Sequence, residues 1–407
     1  MEKSTVTGMG RRQWLLGSAG LASAVLLPGS LFARAAGLHN PCWGGMAPCN
    51  AYTPVAIKRV NAHLPFHFEI AKLLDRPVID VRRQLPGYCL EGGKAVKVGG
   101  LYRLFSTAFP YQYIGKPSRL VYWVSKDGGK WDFRSTILRP QEPVAGRPGF
   151  APWGPTPVFN SGENRWYLIY STYKYSGPGP IDSGTTQGVA RARMMVSTVK
   201  GRERGIDGPW RDLGTVMRPD AASQPWEGVQ GVDSFYPYQA RNGRWYAMYG
   251  SSNWKSFWRI GLATAPGIRG PWKRCTTGNP LRVEPVFLEN PIVSRIGDWY
   301  VAIYDAVAPG NPAYTPNGHI TGYTCSKDGI HWLPGGRILV QPSGPASWAY
   351  DLRTPLSLIP EGQGIYTMFY TGYERKPWTA VKENEWMNYE SVGMARLRIV
   401  WHGRNNL

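Results

Sequence analysis

Trp299-Tyr300-Val301-Ala302-Ile303-Tyr304 is an apolar run built on an aromatic pair, short for a helix and made of residue types that fill pleated strands. It has four relatives in the chain: Leu101-Tyr102-Arg103-Leu104-Phe105-Ser106, Trp166-Tyr167-Leu168-Ile169-Tyr170-Ser171, Trp245-Tyr246-Ala247-Met248-Tyr249-Gly250 and Ile365-Tyr366-Thr367-Met368-Phe369-Tyr370. A Gly-containing turn precedes each copy, as in Gly99-Gly100, Asn242-Gly243 or Gly297-Asp298, and a short strand precedes each turn, so every copy opens with a hairpin. A third strand follows, and Val121-Tyr122-Trp123-Val124-Ser125-Lys126-Asp127-Gly128-Gly129-Lys130-Trp131 matches Gly322-Tyr323-Thr324-Cys325-Ser326-Lys327-Asp328-Gly329-Ile330-His331-Trp332. From Tyr102 through Tyr167, Tyr246 and Tyr300 to Tyr366 the steps are 65, 79, 54 and 66 residues. That spacing suits four-stranded propeller blades with variable loops. The expected fold is all-β, a five-bladed β-propeller with four-stranded blades over residues 85–407. Little chain remains after Val400, so the last sheet needs a strand from the N-terminal extension at residues 36–84, and Val55 to Val60 is the segment nominated to close the ring.

The composition agrees. Among 407 residues, 49 Gly, 35 Pro, 18 Trp and 23 Tyr describe short strands, tight turns and abundant aromatic faces. At the start, Gly10-Arg11-Arg12-Gln13-Trp14-Leu15-Leu16 joins an arginine pair to a weakly apolar run that ends at the small-x-small site Ala33-Arg34-Ala35. Residues 1–35 therefore read as a twin-arginine signal peptide. The expected partner is the twin-arginine export machinery, and the expected location is periplasmic or extracellular. Gly17, Gly20, Pro28 and Gly29 interrupt the run, and no other stretch approaches about 18 apolar residues, so no stable membrane anchor is expected.

The formal charge of +20 suits an acidic partner such as an anionic polysaccharide or a cell surface, and equally suits a chain from a basic proteome. Its basic residues, Arg241, Arg244, Arg259, Arg269 and Arg274 among them, form no block, stripe or RNA-binding motif, so no nucleic-acid partner is expected. Cys42 and Cys49 are spaced to close a small loop after export, whereas Cys89, Cys275 and Cys325 read as small buried hydrophobes. Nothing in the spacing of His and Cys calls for a metal or other cofactor.

In a propeller the innermost strands converge on one channel, so the starts of those strands share a pocket. Counting back from the marker tyrosines places there Glu91, the segment Ala151-Pro152-Trp153-Gly154-Pro155, Asp233, Glu289 and Asp351. Four of the five blades thus offer a carboxylate at nearly one level. Each acid taken singly could equally cap a turn or pair with an arginine.

From about residue 85 to 400 these features resemble the five-bladed propeller glycoside hydrolases of family 43 and their arabinanase, xylosidase and arabinofuranosidase relatives. The resemblance rests on Glu91, then Phe150-Ala151-Pro152-Trp153-Gly154-Pro155, then Asp233, then Glu289-Asn290-Pro291, in the family's order of acid, Trp-Ala-Pro element, Asp and Glu before Pro. It implies a carbohydrate substrate of arabinose, xylose or galactose type, with Glu289 as general acid, Glu91 as general base and Asp233 raising the acid's pKa. The family's base is an Asp, so Glu91, one methylene longer, departs from the pattern, and Asp80 is the reserve. The family's channel calcium, held through a His in the last blade, is not carried over, because no His lies between His331 and His402. Trp153, Phe235, Tyr236, Asp351 and Arg353 are the expected substrate-binding residues, with Trp226, Trp348 and His319 beside them. Two other readings stay open: a carbohydrate-binding propeller without turnover, and an enzyme acting on acidic glycans.

Overall fold

The computed structural model describes residues 61–110, 118–142, 144, 149–175, 190–228, 230–252, 258–285, 287–307, 319–338, 348–349, 351–373 and 390–403. The signal-peptide segment, Cys42, Cys49 and Val55 to Val60 lie outside them. Strand β1 (Phe66–Leu73) and a one-turn helix, α1 (Val81–Gln84), come first. The first sheet runs β2 (Tyr88–Val98), β3 (Leu101–Pro110), β4 (Arg119–Ser125) and β5 (Asp132–Leu138) in sequence order. The second is β6 (Gly149–Asn160), β7 (Arg165–Tyr175), β8 (Ala190–Ser197) and β9 (Trp210–Met217). The third is β10 (Asp233–Gln239), β11 (Trp245–Ser252), β12 (Trp258–Ala265) and β13 (Lys273–Arg274). The fourth is β14 (Leu288–Ile296), β15 (Trp299–Val307), β16 (His319–Ser326) and β17 (Gly336–Ile338). All neighbours pair antiparallel.

The fifth sheet contains β18 (Asp351–Pro355), β19 (Ile359–Gly362), β20 (Ile365–Tyr373) and β21 (Ser391–Trp401), in the order β1-β21-β20-β18 with β19 also on β20. Its inner position is filled by two short strands in tandem, and its outer position by β1 from the other end of the chain. First strands of neighbouring sheets touch in turn, β2 to β6, β6 to β10, β10 to β14, β14 to β18 and β18 to β2, which closes a five-bladed ring around a channel. The all-β propeller expected from the repeat is the fold observed. Among the described residues no helix is long and apolar enough to cross a membrane.

Each aromatic-pair strand is the second of its sheet, flanked on both edges, and is therefore buried almost throughout; β11 is buried along its whole length. Where bulky rings must lie flat against a neighbouring strand, a glycine gives them room. A Cβ on Gly322 would sit 2.2 Å from the Tyr304 ring, and one on Gly393 2.5 Å from Tyr370. The Trp-bearing turns after β4 and β16 share one construction, in which Asp127 accepts from the amides of Gly129 and Lys130 at 2.8 Å, and Asp328 from Ile330 at 2.8 Å and His331 at 2.9 Å. His331 also bonds Asp328 at 2.6 Å from the exposed tip of this turn, so its role is structural.

The ring-closing strand is Phe66–Leu73, paired from Phe66↔Trp401 to Leu73↔Ala395. It does more than add an edge. Phe66, fully buried, meets Phe68 and Trp401 edge-on and stacks on Tyr323 of the fourth sheet, whose hydroxyl donates to the Phe66 carbonyl at 2.6 Å. Phe66→Ala is expected to destabilise the protein by about 3–5 kcal/mol, the range for emptying a buried aromatic site. Chemical denaturation measures it, and an unchanged midpoint would show that the seam carries little of the ring's stability.

Candidate active site

The five innermost strands lose register at one level. The slip falls between Glu91 and Gly93, Trp153 and Thr156, Asp233 and Tyr236, Glu289 and Ile292, and Leu352 and Pro355. In four blades the residue after the slip begins is left-handed: Gly92 (φ 64), Gly154 (φ 60), Ser234 (φ 49) and Asn290 (φ 51). Glycine adopts this conformation freely, whereas a non-glycine residue held there is strained by roughly 1–3 kcal/mol. A bulge re-aims the side chain beside it, and such bulges gather next to active sites. Hydrogen bonds tie three of them together: Ser234 Oγ donates to Asn290 Oδ1 at 3.0 Å, and Asn290 Nδ2 donates to Thr354 Oγ1 at 3.2 Å.

Three of the expected acids meet there. Glu91, Asp233 and Glu289 are each at most 5% exposed. The fifth blade sends Arg353 into their midst. Its Nε lies 3.1 Å from Glu91 Oε1, and its Nη1 donates to Glu289 Oε2 at 3.0 Å and to Asp305. Since one planar guanidinium touches both glutamates, those two oxygens are no more than about 8.5 Å apart, a bound that covers retaining and inverting separations and excludes wider ones. Asp305 faces Glu289 directly across the β14–β15 ladder and pairs with His319 Nδ1 at 3.0 Å. Asp233 accepts from the Tyr173 hydroxyl and, through Oδ1, from the Ser234 amide at 2.7 Å. Gln230 Nε2 holds the same Tyr173 hydroxyl at 3.0 Å. Glu390, fully buried just before β21, completes the acidic group, and its carbonyl accepts from the Leu90 amide at 3.0 Å.

So many carboxyls around one guanidinium cannot all ionise out of reach of water. Burial pushes Glu289 up to about 8; Arg353 opposes that rise, while Glu91, Asp305 and Asp233 add to it. Asp305 also reaches about 8, by burial against the pull of Arg353. Glu91 and Asp233 are raised, and Glu390 is raised well above the carboxylate range, burial leading in each case. At neutral pH Glu289 is thus a protonated acid beside a fixed positive charge.

The other expectations divide. Trp153 occupies the register position of the acids in blade two, packed against Phe109 at 5.4 Å and Tyr173 at 6.4 Å, with its indole next to Gly92. Phe235 does not belong to the site. It sits in the core between the second and third sheets, edge-on to Trp272 at 5.0 Å, because the bulge after Asp233 breaks the alternation of faces. Tyr236 is displaced as well, since its hydroxyl bonds Lys94 and the Val293 carbonyl farther along the channel. Asp351 is one register step from the expected place: it pairs with Tyr373, and Leu352 stands level with Asp233 and Glu289. Arg353, expected to bind substrate, is instead the internal counter-ion of the acids. Trp226 and Trp348 pack over Gly261 and Gly393. The reserve base Asp80 caps α1, accepting from the Arg82 amide at 3.1 Å and pairing with Arg82 and Arg83.

Asp305, Glu390 and Tyr173 were not singled out by sequence. Asp305 did leave a signal, as the acid that ends Trp299-Tyr300-Val301-Ala302-Ile303-Tyr304 where the other copies carry small or hydroxyl residues. Among the described residues no group of three His, Cys, Asp or Glu is arranged to hold a metal ion, and the chemistry below is not routed through one.

No family model and no curated protein sequence matches the chain. Its structure is similar to that of a glycoside hydrolase, with a TM-score of 0.59 and 13% identity over 84% of this chain and 95% of the other. A family 117 glycoside hydrolase produced by the marine bacterium Zobellia galactanivorans matches with a TM-score of 0.54 and 15% identity, over 83% and 91% of the two chains. The catalytic domain of the Coprinopsis cinerea GH62 α-L-arabinofuranosidase follows with a TM-score of 0.52 and 13% identity, over 79% and 95%. At such identities the likeness is one of fold.

Proposed function

We propose that the chain is an exported glycoside hydrolase acting on arabinose-, xylose- or galactose-type glycans, with Glu289 as general acid and Glu91 as general base. The observation that carries this reading is the convergence of Glu289, Glu91 and Asp233 on one buried point, each beside a register slip in a different blade. Glu289 holds its proton up to about pH 8 and can deliver it to a leaving oxygen. Glu91, against Arg353 Nε, is the group to activate water on the far side, and inversion is the stereochemical outcome we propose. Asp233, fixed by Tyr173 and Ser234, acts by raising the acid's pKa. The glycoside hydrolases of similar fold support the reaction class, but the sugar rests on the resemblance alone.

The test is hydrolysis of a panel of aryl glycosides and plant or bacterial polysaccharides. Since the acid must be protonated in the free enzyme, kcat/KM is expected to fall above about pH 8. A rate that keeps rising through pH 9 would remove Glu289 from that role.

A second reading has its own support. Arg353 bridges the proposed acid and base, and both are nearly inaccessible, an arrangement that ties up the groups turnover needs and favours binding without hydrolysis. Saturable glycan binding with no hydrolysis anywhere in the panel would decide for it.

Export rests on Arg11-Arg12 and the apolar run behind them. The chain recovered outside the cytoplasmic membrane is expected to begin near Ala36, and replacing both arginines by lysine is expected to retain it inside. Export of that double variant at the wild-type level would exclude the twin-arginine route.

A further inference from the structure

The carboxyl groups occupy one end of the channel, and the later halves of the same innermost strands line a cavity of about 550 Å³ at the other. That volume falls within the range of small-molecule sites, about 300–1,000 Å³. Its charged lining is of one sign. Lys94, Lys97, Arg202 and Arg295 face it, and among the described residues no Asp or Glu does. Lys97 is neutralised by Glu361 at 2.6 Å, just outside the lining. The other three have no carboxylate within ion-pair distance among the described residues. Arg202 lies over the rings of Phe159 and Trp166 at 5.3 and 5.8 Å, and Arg295 over Tyr300 at 4.2 Å, so both guanidiniums are braced by aromatic faces at the exposed rim. Lys94 is at the floor, bonded to the Tyr236 hydroxyl and 4.7 Å above that ring. With no counter-charge, burial and then the nearby Arg202 bring its amine down to about 7. An anion entering beside Lys94 would raise its amine again and draw a proton onto it, so the floor of the cavity gains charge as the ligand binds.

We propose that this end of the channel is a binding site for an oxyanion, sulfate, phosphate or carboxylate, free or carried on a small molecule, gripped by Lys94 from below and by Arg202 and Arg295 from the rim. The site stands apart from the acidic cluster and does not depend on the hydrolase reading. Charge-assisted hydrogen bonds and the fork of an arginine are the groups that recognise such oxygens.

Isothermal titration of the full chain at low salt, with sulfate, phosphate, galacturonate and uncharged galactose in separate runs, tests it. The expected result is binding of at least one anion at one site per chain, with a dissociation constant of about 1 mM or tighter, while any binding of galactose, which belongs to the acidic end, is left unchanged by the variants below. Sulfate or phosphate without galacturonate would identify a free oxyanion as ligand, and galacturonate without the inorganic ions a sugar acid; both support the site. Lys94→Met is expected to weaken binding about tenfold or more, and Lys94→Arg to restore part of it. Because Lys94 is part of the channel wall, the exposed pair Arg202→Gln and Arg295→Gln provides a second test that gives up only the ring contacts at the rim, with a loss of similar size expected. Absence of binding by all three anions, or binding at several sites per chain that none of these variants weakens, would overturn the proposal.

Discussion

Glu289→Gln is expected to lower turnover of an aryl glycoside about 10²–10⁴-fold, the usual contribution of a positioned proton donor, with little change in the unfolding midpoint. The amide keeps the shape of the carboxyl group and its contact with Arg353 Nη1, which retains Asp305 as a second partner, but it cannot release a proton to the leaving oxygen. Two further readouts separate this from a structural defect. Substrates whose leaving group is already a weak base need little protonation and should lose far less. The alkaline limb near pH 8 should vanish with its titrating group. Equal losses for good and poor leaving groups would show that Glu289 only supports the site.

Arg353→Met is expected to destabilise the protein by about 3–5 kcal/mol, the range for removing one partner of a buried ion pair. Glu91, Glu289 and Asp305 all lean on that guanidinium, and each is held lower in pKa by it than burial alone would leave it. The sign with pH follows. These acids have folded pKa values raised above their unfolded ones, so the stability they contribute is fully present below about pH 4 and is lost as pH rises toward about 8. Without Arg353 they are raised further, so variant and wild type lose stability in parallel up to about pH 8, and the gap between them should widen from about pH 8 to about pH 9.5. Urea denaturation at both values measures it, with Arg353→Lys as the variant that keeps a charge. A gap that narrows over this range would mean that the acids are satisfied by other groups.

The sequence carried the blades because their signature is local: an aromatic pair, a Gly turn and a third strand are all contained in a few dozen residues. It carried Glu91, Asp233 and Glu289 for the same reason, as acids lying 11 to 13 residues ahead of the marker tyrosines. What depends on distant parts of the chain was not legible. Arg353 reaches acids 262 and 64 positions away, and nothing near it in sequence announces that it will point at them rather than at a ligand. Phe235 was misjudged because a register slip undoes the alternation on which the count of faces relies. The closing strand was misplaced for a different reason. Phe66–Leu73 is an outer strand, buried only over its first half, and so has no full alternating pattern to distinguish it from Val55 to Val60.

Synthesis delivers Phe66–Leu73 among the first of the strands and Ser391–Trp401 last, yet these two pair with each other. Blades one to four can each form from contiguous chain as it emerges, whereas the fifth waits for the final residues. The half-made protein is an open arc whose two ends expose strand edges, and the join is the step of longest sequence separation, which makes it the slow one. A second chain at the same stage would offer a matching pair of edges, so exchange of β1 between two copies would compete with ring closure until the ring is sealed.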